Sequence, residues 1–409
     1  MDKLDLDFVR AQFPAFQEHS LKGQAFFENA GGTYACRYVA WRLSRFFRDR
    51  KVQPYAPFAA SQRAGEEMDE ARYRLALILG VKENELHFGP STSANSYVMA
   101  NAFREFLEPG DAIVVTNQDH EANSGVWRRL AKSGIEVREW QIDPETGHLP
   151  IDHLRSLLSD GKVQLVCFPH CSNVVGEIND VAQIVYHIHK AEAVACVDGV
   201  SYAPHGLPNV GRLNADIYFL STYKTYGPHQ GLMVVREELA ELLPNQGHYF
   251  NSGTFYKRFT PAGPDHAQIA ACVGIADYID TLYKHHVKAG RDAGGRAAYV
   301  HDMMRSHETK LLGPLMTYLA DHPKIRVLGP EGAQARAPTV AVVHDRPGVE
   351  LASDLAPLGI MAGGGDFYAN RALEAMGVDP DHGVLRLSFV HYTSPAEIDQ
   401  LIGALDQVL

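Results

Sequence analysis

The sequence predicts an α/β chain with a mostly parallel sheet, followed by a smaller α+β region. Three observations predict it. Between Leu86 and Val235, short apolar runs alternate with helical patterns. Those runs are apolar on both faces, as strands covered by helices on each side require. After about Thr260 the pattern changes to longer helices and three further strand-like runs. With 409 residues the chain exceeds one compact core, so two domains are expected. The large one spans 21–261, and the small one spans 262–409 together with 1–20.

The chain starts MDKLDLDFVRAQFPAF, acidic and amphipathic, without the basic lead and apolar stretch of a signal peptide. No window reaches the ~18 apolar residues of a membrane span, so a cytoplasmic, non-membrane protein is expected. AIVVT at 112–116 reads as a buried strand, with a helical stretch from Glu121. VQLVCF at 163–168, AVACVD at 193–198, DIYFL at 216–220 and GLMVV at 231–235 continue the series. In the C-terminal part, 267–283 and 298–320 read as helices, and KIRVLG, APTVAVVH and GVLRLSF as strands. The last stretch from Ser394 is an amphipathic helix with Pro395 in its first turn.

Apolar residues make up 45% and charged residues 21%, an ordinary globular balance. The net charge of −11 argues against a duplex nucleic-acid binder, which needs a basic face. The five cysteines, at 36, 167, 171, 196 and 272, are sparse and scattered, which fits reduced thiols. Cys167, His170 and Cys171 lack a second Cys/His pair at ligand spacing, so no metal is expected.

Ligands of such sheets bind beyond the carboxyl ends of the strands, and several reactive side chains fall there. Lys224, in STYKTYGPHQG, follows one buried strand, with Ser221 three residues earlier and Tyr223 beside it. Alone it would be an ordinary surface lysine. Behind a buried strand, its amine can form a Schiff base with an aldehyde cofactor and shuttle protons. Asp198 ends VACVD, either as a turn aspartate or as a carboxylate beneath a pyridine nitrogen. In GPSTSANSYVMANAF, Thr92 or Ser93 can cap a helix whose backbone amides face a phosphate. His120, in NQDHEANSGVW, can stack on a cofactor ring; Asn173, in PHCSNVVGE, can bond a ring hydroxyl. Singly, each reads as a structural hydrogen-bonder or turn residue.

Together these segments resemble the class V aminotransferase and cysteine desulfurase family of fold type I pyridoxal-phosphate enzymes. FFENAGGT, EANSGVW, SNVVGE, VDGVS, the lysine segment and LRLSFVHYTSPAEID carry the resemblance over nearly the whole chain. It implies a seven-stranded large domain, pyridoxal 5′-phosphate on Lys224, Asp198 as the pyridine-nitrogen partner and His120 as the stacking residue. It also implies Asn173 on the phenolic oxygen, and Thr92, Ser93 and Ser221 around the phosphate. Arg386 then holds the substrate α-carboxylate by two parallel N–H bonds, and Gly31 and Gly32 let backbone approach the substrate. A homodimer with a small amino-acid substrate is further implied.

Three positions depart from the family pattern. Tyr223 stands where a histidine often precedes the lysine, and Ser201 where a glutamine follows the aspartate. Gly263, within AGPDH, replaces a threonine that bonds the phosphate across the subunit boundary. The family's mobile-loop cysteine is absent from 361–377, where Tyr368 falls near its place. The reading that follows is cleavage of a C–S bond by β-elimination with no protein persulfide. Transamination and epimerisation share its first proton transfer and stay open, with Arg37, Arg63, Arg258 and Arg371 as candidates for a second carboxylate clamp. A non-catalytic binding protein is the contrasting reading; a scaffold has no need of Lys224, Asp198 and Arg386 together.

Overall fold

The computed structural model describes residues 3–261 and 264–409. Its main sheet has seven strands in the order Leu86–Gly89, Gly231–Val235, Ile217–Ser221, Val194–Asp198, Val163–Pro169, Ala112–Thr116 and Glu136–Trp140. The last five pair in parallel. Gly231–Val235 is antiparallel to both its neighbours. Every strand but that one therefore ends on the same rim, and the reversed strand begins there.

Alternate side chains enter two separate cores, as the two-residue period of a strand requires. Val114, Val166, Val197, Tyr218 and Val234 face one cluster. Ile113, Val115, Leu165, Cys196, Ile217 and Met233 face the other. The first is covered by helices that include Ala59–Leu79, Val181–Lys190 and Val273–His286. The second is covered by Thr92–Phe106 and Glu121–Arg128, among others.

A second sheet, antiparallel, runs Gly363–Gly365, Val384–Ser388, Thr339–Val343, Arg326–Val327. It packs with the helices Ala293–Asp321 and Pro395–Val408. Ser394 caps the latter through a reciprocal bond with Glu397.

Several elements differ from the sequence expectation. The helix expected over 267–283 is broken at Cys272 into His266–Ala271 and Val273–His286. Both halves bury their apolar side in the core of the main sheet, although their sequence character groups them with the C-terminal part. Ala25–Phe26 pairs with Ile360–Met361, and Glu28 bridges to Ser388, so this N-terminal segment extends along the second sheet. The edge strand Glu136–Trp140 holds three charged residues and only Val137 and Trp140 as apolar ones, so it has no apolar run to mark it. Among the described residues, no helix is long and apolar enough to cross a membrane.

Candidate active site

The rim where the strands end encloses a cavity of about 310 Å³. Its lining includes Thr92, Ser93, His120, Asp198, Ser201, Ser221, Tyr223 and Lys224, brought there from the ends of four strands or the segments that follow them.

Lys224 ends a short 3₁₀ turn, Thr222–Lys224, that follows the strand Ile217–Ser221. The turn is braced within its hairpin. Thr222 N–H donates to the Gln230 carbonyl at 2.9 Å, and the Thr225 hydroxyl to the Ser221 carbonyl at 2.9 Å. Burial lowers the Lys224 pKa to about 8, helped by the Arg386 charge and opposed by Asp198 and Glu28. A usable fraction of its amine is thus uncharged near neutrality.

Asp198 closes its strand opposite Pro169 and Phe219. It is a turn residue and a cavity residue at once, since one carboxylate oxygen accepts from Val200 N–H at 2.8 Å. Burial pushes its carboxyl up to about 6, against the pull of that amide and of Lys224. Asp119, also buried, is raised well above the usual range by burial and then by repulsion from Asp198. It accepts from Asn123 Nδ2 at 2.6 Å. The pair behind the cavity favours a cation placed against Asp198.

His120 caps the helix Glu121–Arg128, its Nδ1 accepting from Ala122 N–H at 3.0 Å. Burial, then the charges of Lys224 and Arg386, lower its pKa to about 4. The ring is therefore neutral and carries its proton on Nε2.

The helix Thr92–Phe106 points its N-terminus at the cavity. Its cap is Ser91, whose hydroxyl accepts from Ala94 N–H at 3.1 Å; the expected cap at Thr92 or Ser93 is one or two residues late. The β-branched Thr92 instead turns its hydroxyl across to Ser221, 2.7 Å away. Hydroxyls from two elements and the helix dipole thus meet at one end of the cavity, an arrangement that suits an anion.

His229 was not anticipated. It lines the cavity stacked on Tyr223, with centroids 4.7 Å apart and 10° between planes. The tyrosine at 223 therefore has an imidazole beside it, supplied from the far side of the hairpin; the Gly-Pro turn before His229 was the signal. His170, by contrast, is taken up by the Tyr218 hydroxyl at 2.8 Å and by stacking on Tyr202.

The remaining predicted residues do not line this cavity. Asn173 donates from Nδ2 to the Phe367 carbonyl at 2.9 Å, and its Oδ1 is buried without a partner. Tyr368 is 70% exposed and leans over His120, ring centroids 5.4 Å apart. Phe367 and Tyr368 both adopt left-handed backbone, φ 53° and 56°, which costs non-glycine residues energy. The turn is tied down by Asn173 and by Glu121 N–H donating to the Tyr368 carbonyl at 2.8 Å.

Gly31 and Gly32 serve side chains in this structure. A methyl group at 31 would lie 2.7 Å from Glu28 Oε1, and one at 32 would lie 3.4 Å from the Tyr223 ring. Arg386 is buried, and its Nη2 donates to Glu28 Oε1 at 2.6 Å. Its ion pair with Glu28 is thus largely shielded from solvent. None of Arg37, Arg63, Arg258 and Arg371 lines the cavity, and Arg371 pairs with Glu121. All five cysteines are buried away from the cavity lining. Burial raises every one of their thiols, those of Cys36, Cys171 and Cys272 to about 12. Gly263 lies outside the described residues.

The family described as Aminotransferase class-V matches residues 25–401. The "Aminotransferase-like protein FGM3" of Gibberella zeae is 31% identical, over 99% of this chain and 98% of its own length. A cysteine desulfurase of Serratia proteamaculans is 26% identical over 98% of each chain. Among solved structures, the cysteine desulfurase CsdA of Escherichia coli superposes with a TM-score of 0.83 at 23% identity, covering 100% of this chain and 99% of that one. At that identity the likeness concerns the fold alone.

Proposed function

Because the chain belongs to the class V aminotransferase family, and is accordingly an enzyme dependent on pyridoxal 5′-phosphate, we propose that it cleaves a C–S bond of a small α-amino acid by β-elimination, without a protein persulfide. The observation that carries this reading is the burial of all five thiols away from the cavity, where none can receive sulfur as a thiolate.

The residues present fit the cofactor. The cavity is of ligand size. It offers an amine at Lys224, a carboxylate at Asp198 and a hydroxyl-lined helix N-terminus. When bound, the cofactor supplies an aldehyde for amines and an electron-withdrawing ring beside the substrate's α-carbon. Lys224 would carry it, Asp198 would hold its ring nitrogen protonated, and His120 would cover one ring face. Asn173 and Ser201 would serve the ring oxygen. Ser221, Thr92, Ser93 and Tyr223 would surround the phosphate. Gly31 and Gly32 would border the substrate side.

Arg386 would orient the substrate carboxylate, so that the α-hydrogen faces the Lys224 amine. With its low pKa, that amine can take the α-proton and return it to the departing sulfur. Tyr368, over the mouth, would shield the leaving group from water. In sum, substrate and one water become pyruvate, ammonia and a thiol or sulfide. The relative's printed name favours a second reading, transamination, which would need a second carboxylate clamp beside Arg386.

The test is a panel of cysteine and S-substituted cysteines, followed for pyruvate, ammonia, released thiol and tagged persulfide. Pyruvate formed in step with ammonia is expected. A keto acid without ammonia would move the enzyme to transamination, and a persulfide trapped on any of the five cysteines would overturn the proposal. We further propose that it works as a cytoplasmic homodimer. Exposed Trp41, Phe47, Tyr55, Phe58 and Tyr73 on one group of helices and their approach support the dimer. A fully active monomer by light scattering would contradict it.

A further inference from the structure

The guanidinium of Arg386 already has a carboxylate. Glu28 Oε1 accepts from Nη2 at 2.6 Å, with side-chain exposures of 4% for the arginine and 28% for the glutamate. The Phe367 ring lies under the cation, its centroid 3.8 Å from Cζ. Nη1 donates to the Asn173 carbonyl at 3.3 Å.

This pairing is one-pronged. Arg386 Nε and Glu28 Oε2 are both buried, and neither has a hydrogen-bond partner. A buried ion pair repays its desolvation only when its donors and acceptors are satisfied. A carboxylate that presents both oxygens to the guanidinium makes two parallel bonds and satisfies it better. The space for Glu28 is also made by the backbone. Methyl groups at Gly31 and Gly363 would come within 2.7 and 2.8 Å of its two carboxylate oxygens. Gly363 is the residue paired with Arg386 in the second sheet.

We propose that Glu28 is a resident carboxylate that occupies Arg386 until a ligand carboxylate displaces it, and so is a specificity-determining residue for the substrate. It holds the cation neutralised in the resting site and sets the affinity threshold an incoming carboxylate must exceed. Ligands that offer two oxygens to one guanidinium pass it, and single-acceptor analogues such as amides do not. The inference rests on the reading of Arg386 as the substrate-carboxylate residue.

The test is calorimetric titration of the cofactor-loaded full chain with propanoate, which binds without turnover. Glu28→Gln keeps the side-chain shape and an acceptor for Nη2 but removes the competing charge. Propanoate should bind at least tenfold more tightly, about 1.4 kcal/mol, and KM for the amino acid should fall more than kcat changes. Glu28→Asp, whose carboxylate is withdrawn by one methylene, should act in the same direction and serves if Glu28→Gln folds poorly. Unchanged or weaker propanoate binding in either folded variant overturns the proposal. Arg386→Leu separates the two readings. If it leaves propanoate binding intact, the assignment of Arg386 has failed. If it abolishes binding while Glu28→Gln does not tighten it, only the role of Glu28 has failed.

Discussion

The reactivity of Lys224 can be worked out from its surroundings. With its pKa lowered from 10.5 to about 8, roughly one amine in ten is uncharged at pH 7. An unperturbed lysine would have about one in three thousand, so the burial is worth about 300-fold in free amine. The sign of each neighbour is testable. Asp198 raises the Lys224 pKa and Arg386 lowers it. Asp198→Asn should therefore move the midpoint further down, and Arg386→Leu should move it up. The assay is competitive labelling of the cofactor-free chain with trace acetic anhydride across pH 6–11, with the Lys224 peptide quantified by mass spectrometry. The midpoint, not the absolute rate, is read, so altered access does not confuse it. A midpoint near 10, or the same direction of shift in both variants, would refute the reasoning.

Two further outcomes follow from the same geometry. Lys224→Ala should lose both turnover and the absorbance of covalently held cofactor; a borohydride-reduced peptide map with the cofactor on another lysine would sink that assignment. Arg386→Leu should raise KM by about 30- to 1000-fold, the equivalent of ~2–4 kcal/mol for a lost bidentate charge-assisted contact, without releasing cofactor. Unchanged kinetics with α-amino acids would remove Arg386 from the site.

What was legible in the sequence was whatever depends on one strand and the turn after it. Lys224, Asp198 and His120 each follow an apolar run closely, so chain position alone brings them to the rim. The helix cap at Ser91 was misplaced by a residue or two because serines and a threonine adjoin there, and each can serve. Local pattern cannot show pairings between distant segments. Glu28 and Arg386 are 358 residues apart, and nothing in FFENAGGT marks its glutamate as the partner of an arginine near the end of the chain. The break at Cys272 was hidden too, because apolar periodicity continues across it.

The reversed strand Gly231–Val235 has a consequence for engineering. Because it starts on the rim where Ile217–Ser221 ends, residues 222–230 form a hairpin anchored at both ends and cross-tied from Thr222 to Gln230. The reactive amine therefore sits on a closed loop of set length. One inserted residue adds about 3.8 Å of chain with nowhere to go but into the cavity or against the cross-tie. The exposed turn at 159–161, which precedes the strand Val163–Pro169 and so lies on the opposite rim, would absorb the same insertion for a few tenths of a kcal/mol of loop entropy. Tags, reporter peptides and new chain ends belong in turns of that second kind. Within 222–230 the chain should accept substitutions far more readily than any change in length.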